Sequence, residues 1–266
     1  MTYCVAIRTN AGLVFCSDSR TNAGADMLFS HSKMYIFTPA PDRTFVILTA
    51  GNLATTQAII SRIENEIENP EDKNSLLTCD KILHAAKYVS RVSREEQAAA
   101  QTTTAAAGVD TSVSLILGGQ IKGGPPNIYM MYSAGNFITD SEETPFLQIG
   151  ESKYGKPILD RILTRKTSLE DAARCALVSM DSTIKSNATV GPPIEVLVYE
   201  NDTFECDHYI RLDEEDKYLR GLRQAWNEAL KVSFAALPQL EWERRSQPTT
   251  PDNVYTINPD DDNSGI

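Results

Sequence analysis

The chain has 266 residues, 41% hydrophobic and 23% charged, with a formal net charge of −11 and a pI near 4.8. This length and apolar content support a sizeable core. The acidic balance argues against a nucleic-acid surface, which needs clustered Lys and Arg, and no apolar run reaches the ~20 residues of a membrane span.

Tyr3 to Arg8 and Leu13 to Ser17 are apolar runs rich in β-branched and aromatic residues, joined by Thr9-Asn10-Ala11-Gly12. They predict a β-hairpin with Thr9 opposite Leu13. Thr2 then falls within a residue or two of Asp18-Ser19-Arg20. Both strands are apolar at nearly every position, so both faces should be covered, as in a sandwich layer. Asn22 to Asp26 reads as a polar loop, Lys33 to Phe37 as a strand, Pro39 to Asp42 as a turn, and Thr44 to Thr49 as a strand ending at Ala50-Gly51-Asn52. Helical spacing follows over Leu53 to Glu66 and Asp80 to Ala100, with a polar break at Asn69 to Asn74 between them.

The pattern then repeats loosely. Strands are predicted at Ser112 to Leu117, with Gly118-Gly119 beginning a turn, at Ile128 to Ser133, and at Phe146 to Ile149, with Ala134-Gly135-Asn136 turning into Phe137-Ile138. Helices follow at Tyr154 to Leu163 and Leu169 to Lys185, strands at Ile194 to Tyr199 and Phe204 to Arg211, and a helix at Glu214 to Leu230. Runs of strands alternating with helix pairs predict an α+β protein, antiparallel sheets stacked face to face with helices outside. One domain over residues 1–237 is expected, followed by a polar, acidic, weakly ordered tail over 238–266.

The chemistry starts at Met1-Thr2. If Met1 is trimmed, Thr2 carries both a hydroxyl and a free α-amine. That amine, with an unperturbed pKa of about 7.7–8.0, can take the hydroxyl proton near neutral pH. Asp18 ends the second strand beside it, Arg20 points the same way two residues on, and Lys33 opens the third strand. A Lys entering a sandwich interior must be paired or have a lowered pKa, and Asp18 is the candidate partner. Thr2, Lys33 and Asp18 are therefore candidates for nucleophile, electrostatic activator and orienter. His31, His84 and His208 lack metal-ligand spacing, so no metal and no cofactor is expected. Five scattered cysteines without a CxxC pair, and no signal peptide, point to a reduced, cytoplasmic protein.

In order and spacing, Thr2, Asp18-Ser19-Arg20, Lys33 and Thr49-Ala50-Gly51-Asn52 resemble the proteasome β-subunit type of N-terminal nucleophile hydrolase. The stretches M-T-Y-C-V-A, S-D-S-R-T-N-A-G, L-T-A-G-N-L-A-T-T-Q and F-L-Q-I-G-E-S-K-Y-G-K-P resemble its ancestral bacterial β-subunit (Anbu) branch. The likeness covers roughly residues 1–235. It implies a four-layer αββα sandwich of two antiparallel sheets flanked by helices, the N-terminal nucleophile hydrolase fold, and a threonine peptidase in which Thr2 is the nucleophile, its amine the base, Lys33 the activator and Asp18 the orienter of Lys33. It also implies that Gly51 donates its N–H to the oxyanion and that Asn22 and Gly51 flank a substrate groove. Arg20 supports the site. Where the family carries a supporting Ser, this chain has Glu151 or Ser152, and where it carries an Asp and a Ser, this chain has Asn187 and Val190. Only Met1 precedes Thr2, so no propeptide is expected.

The resemblance further implies a homo-oligomeric ring or spiral acting on peptides or unfolded protein, with an ATP-dependent partner unidentified. Two other readings share the residues. One is an N-terminal nucleophile amidase acting on small amides or γ-glutamyl bonds. The other is a catalytically silent scaffold whose Thr2 stays blocked by Met1.

Overall fold

In the computed structural model, residues 1–22, 28–69, 75–104 and 108–244 are described. One five-stranded antiparallel sheet has the order β10-β1-β2-β11-β12: Phe146–Gly150, Tyr3–Arg8, Gly12–Asp18, Ile194–Glu200 and His208–Leu212. The other runs β5-β6-β7-β8-β9: Met34–Ala40, Arg43–Gly51, Val113–Ile121, Asn127–Met131 and Phe137–Thr139. A two-stranded ribbon, β3 (Arg20–Asn22) with β4 (Leu28–Ser30), leads from the first sheet to the second.

Strand periodicity explains the apolar runs. Side chains alternate between faces, so a strand buried on both sides needs apolar residues at every position. Tyr3, Val5 and Ile7 of β1 join one core cluster and Cys4 and Ala6 another. Cys4, Ala6, Leu13 and Phe15 meet Val46, Leu48, Ile116 and Ile128 between the two sheets. Helices α3 (Lys156–Ile162) and α4 (Leu169–Ser186) cover the outer face of the first sheet, with Leu159, Ala172, Ala176 and Met180 buried against it. Helices α1 (Leu53–Glu68) and α2 (Ile82–Thr104) cover the second, with Ile59, Ile63, Ala85 and Val89 packed on Phe45, Ile47 and Leu115. Three core clusters lie between four layers, which is the αββα sandwich. Each fully buried Ile, Leu or Phe contributes about 1.5–3 kcal/mol.

Local signals start the helices. Asn52 caps α1, its side chain accepting from the Thr55 N–H at 3.1 Å, and Ser168 caps α4, accepting from Asp171 N–H at 3.1 Å. Glu170 and Asp171 in the first turn and Lys185 in the last complement the α4 dipole. Helix α5 (Lys217–Ala235) and the short α6 (Glu241–Arg244) follow. The chain divides into two compact units, Met1–Arg223 and Gln224–Ile266, and most of the predicted tail lies outside the described residues.

Four local expectations need correction. Arg8, not Thr9, pairs with Leu13, which shifts the register of the first hairpin by one residue and sets Tyr3 and Asp18 side by side. Strand β5 runs to Ala40, with an irregularity after Phe37, so the turn shortens to Pro41-Asp42. Gly118 and Gly119 lie inside β7, paired to both β6 and β8. A Cβ on Gly118 would sit 2.5 Å from the Phe15 ring, so glycine there makes room for the opposite sheet rather than turning the chain. The last strand starts at His208, not Phe204, because Asp202 and Phe204 adopt positive φ in the connection (63° and 57°). The predicted polar loop Asn22 to Asp26 falls mainly on residues 23–27, and the polar break Asn69 to Asn74 on 70–74, outside the described residues.

Candidate active site

Thr2 enters β1 between β10 and β2. Its carbonyl accepts the Glu151 N–H at 2.7 Å. Gly150 lies directly behind, at φ +81°, where a Cβ would come within 2.0 Å of the Thr2 oxygen. The next residue, Tyr3, gives its N–H to Asp18 Oδ1 at 3.0 Å. Its buried hydroxyl meets Ser179 Oγ at 2.6 Å and accepts from Gln148 Nε2 at 2.8 Å. The main chain around Thr2 is thus held by strands on both sides, while Thr2 itself borders a cavity of about 330 Å3.

Asp18 ends β2 with no solvent exposure. Its Oδ1 also accepts from Lys33 Nζ at 2.7 Å, and its Oδ2 from the Gly191 N–H at 3.3 Å. Lys33 Nζ gives a second hydrogen bond to Arg20 O at 2.8 Å, and Lys33 O accepts from Thr49 N–H at 3.0 Å. Burial pushes the Asp18 carboxyl above its ordinary value, while the Lys33 charge and the Tyr3 and Gly191 N–H groups pull it back. A buried ion pair offsets its own desolvation only when such hydrogen bonds complete it. The Met1 α-amine is lowered from its ordinary value, first by burial and then by the Lys33 charge, with Asp18 opposing. The site therefore favours a neutral amine.

Thr2, Arg20, Lys33 and Gly51 all line the cavity, as do Met1, Thr21, His31, Thr49 and Gly150. Gly51 ends β6 at φ +128°, where a Cβ would approach Ser112 O to 2.2 Å, so the backbone there requires glycine. The Arg20 guanidinium lies against Gly191, and its Nη1 donates to Ala188 O at 2.8 Å. Arg20 thus holds the loop whose Gly191 N–H reaches Asp18.

Glu151 and Asn187 meet behind Thr2, where Asn187 Nδ2 donates to Glu151 Oε2 at 3.3 Å. Asn187 Oδ1 in turn accepts from Thr189 N and Oγ1. Val190 is fully buried in the outer core. Ser152 is half-buried, and its carbonyl accepts the Lys156 N–H. It does not line the cavity. Asn22 pairs through its backbone with Leu28 in the β3–β4 ribbon, and its side chain lies outside the described residues. Gly150, Gly191 and His31 are contributors that sequence reasoning passed over. Gly191 lies 173 positions from Asp18, and no local pattern links them.

A sequence profile described as "Proteasome subunit" matches residues 2–199, three quarters of the chain. The chain belongs to the proteasome subunit family. The proteasome subunit beta of Haloquadratum walsbyi is 25% identical over 213 residues, 80% of this chain and 79% of that protein. Solved structures of ancestral β-subunits lie nearer. Anbu from Yersinia bercovieri is 42% identical with a TM-score of 0.84, matching 90% of this chain and 99% of that one. A structure described as the helical assembly of the Anbu complex from Pseudomonas aeruginosa is 45% identical with a TM-score of 0.85, matching 91% and 100%. The N-terminal nucleophile hydrolase fold of such proteasome-type subunits agrees with the sandwich described above.

Proposed function

We propose that this proteasome-type subunit is a threonine peptidase that acts once Met1 is removed and Thr2 becomes the N-terminus. Thr2 Oγ attacks the substrate carbonyl carbon while its proton passes to the Thr2 α-amine. The tetrahedral oxyanion takes the Gly51 N–H. The C–N bond then breaks, the amine returns the proton to the leaving nitrogen, and a Thr2 ester remains. Water, deprotonated by the same amine, hydrolyses that ester and restores the hydroxyl. The Lys33 ammonium favours the developing alkoxide, and Asp18 orients Lys33. Arg20 braces the Gly191 loop, and Glu151 with Asn187 braces the strand behind Thr2. Copies of the chain assemble with one another, as those of the Pseudomonas aeruginosa relative do in its helical assembly.

The observation that carries this reading is the shared oxygen. Asp18 Oδ1 holds both the Lys33 ammonium and the N–H of the residue after Thr2, so one carboxylate fixes activator and nucleophile together. The lowered Met1 amine adds to it, because the Lys33 charge that helps lower it lines the same cavity as Thr2.

The test joins intact mass with labelling by a peptide epoxyketone, which needs a free hydroxyl and a free α-amine on one residue. A mass short by one Met and an adduct mapped to Thr2 are expected, both absent from Thr2→Ala. A retained Met1, which itself lines the cavity, together with no adduct, would leave the silent scaffold as the correct reading.

A further inference from the structure

A second carboxylate lies buried beside the site, and the mechanism above does not use it. Glu195 follows Ile194, which pairs with Asp18, and itself pairs with Ser17 on β2. Ile194 and Val196 belong to the outer core and Leu197 to the core between the sheets, so Glu195 points between the sheets. It is 4% exposed and forms no ion pair among the described residues. A carboxylate so placed is costly unless hydrogen bonds replace water, and its donors are specific. Tyr209 OH donates to Oε1 at 2.6 Å, and burial and Glu195 raise that phenol to about 12, which keeps its proton in place. Ser17 Oγ, level with Glu195 on the next strand, has no partner among the described residues. The remaining donor comes from across the sandwich, where Ser32 Oγ reaches Oε1 at 3.0 Å and Oε2 at 2.9 Å.

Ser32 immediately precedes Lys33. Its Oγ, turned to Glu195, accepts the N–H of Met34 at 3.2 Å, so the contact straddles Lys33. Lys33 O is fixed to Thr49 N–H, and the residue before Ser32 donates its N–H to Ser19 O at 2.9 Å. The Ser32 hydroxyl has one proton and two acceptors in reach, Met34 O at 2.9 Å and the Glu195 carboxylate; the charged carboxylate is the stronger and decides which way the hydroxyl turns.

We propose that Glu195 is a positioning residue for Lys33, acting through Ser32: its carboxylate orients the Ser32 hydroxyl, which caps the start of β5 and fixes the point from which the Lys33 side chain reaches Asp18. The proposal rests on Thr2 as nucleophile with Lys33 as activator. Displacing an activating group by a fraction of an ångström costs a measurable factor in rate.

The test is the second-order rate of Thr2 labelling by the peptide epoxyketone in the full chain, across wild type, Glu195→Gln, Ser32→Ala, Ser32→Thr and the double variant Glu195→Gln/Ser32→Ala. Glu195→Gln and Ser32→Ala are each expected to slow labelling about tenfold. Ser32→Thr, which keeps the hydroxyl, should stay near wild type, and the double variant should be no slower than the slower single one, because both act on one path. Melting temperatures are taken alongside. If Glu195→Gln does not fold, the Ser32→Ala and Ser32→Thr pair still decides. Wild-type rates in Glu195→Gln and Ser32→Ala, or multiplying losses in the double variant, would overturn the proposal while leaving Thr2 as nucleophile. A wild type that never labels would overturn the nucleophile and the positioning role together.

Discussion

Lys33 is the residue at which sequence and energetics meet most directly. An ammonium set among apolar strands is tolerable only because Asp18 lies 2.7 Å away and is itself held by two backbone N–H groups. Removing one partner of such a pair leaves the other charge uncompensated, at a cost of about 3–5 kcal/mol. Lys33→Ala is therefore expected to lose activity and stability together. Burial already raises the Asp18 carboxyl, and without Lys33 it must rise further. A carboxyl raised in the folded state holds its proton more tightly than the unfolded chain does, so stability falls as pH rises above the unfolded value of about 3.9. The deficit of Lys33→Ala should be largest at pH 7 and shrink toward pH 4. Denaturant titrations at the two pH values measure it, and an equal deficit at both would mean Asp18 is not the group left uncompensated. The lowered Met1 amine predicts that the alkaline-going limb of Thr2 labelling has its midpoint below the ordinary α-amine value of about 7.7–8.0. A midpoint above that range would show that neither burial nor Lys33 acts on the Thr2 amine.

At the scale of elements, the site depends on where strands end. Strand β1 is pinned by β10 on one side and β2 on the other, and Gly150 lets β10 close on the Thr2 carbonyl. Gly150→Ala would bring a methyl group against backbone that cannot move aside, at a φ that side chains rarely adopt. A loss of about 1–3 kcal/mol is expected, with slower labelling of Thr2. A wild-type labelling rate in that variant would mean that Thr2 does not depend on its β10 contact. The strands themselves were legible because a doubly buried strand must be apolar throughout, as in Tyr3 to Arg8. Gly118 and Gly119 misled because the dipeptide has the composition of a turn, whereas its glycines answer to the Phe15 ring of the opposite sheet. Packing overrode local preference there.

For the molecule as a whole, membership in the proteasome subunit family raises the question of assembly. Light scattering on the purified protein is expected to give a particle several times the 29.4 kDa chain mass, unchanged by Thr2→Ala because that side chain borders a cavity rather than packing into a core. A monomer at micromolar concentration would remove the self-assembly part of the reading. No helix among the described residues is long and apolar enough to cross a membrane.

The sequence by itself determined the sandwich and the existence of the first hairpin, and it named Thr2, Asp18 and Lys33 as a candidate set, because each follows from short-range rules: alternation along a strand, and the need of a buried charge for a partner. Only the tertiary structure decided that Gly191 and Gly150 border that set, that Glu195 meets Ser32 across the sandwich, and that Ser152 does not line the cavity. Hydrogen bonds such as Gly191 N–H to Asp18 join residues far apart in the chain, and the geometry that makes them exists only after two sheets have stacked face to face.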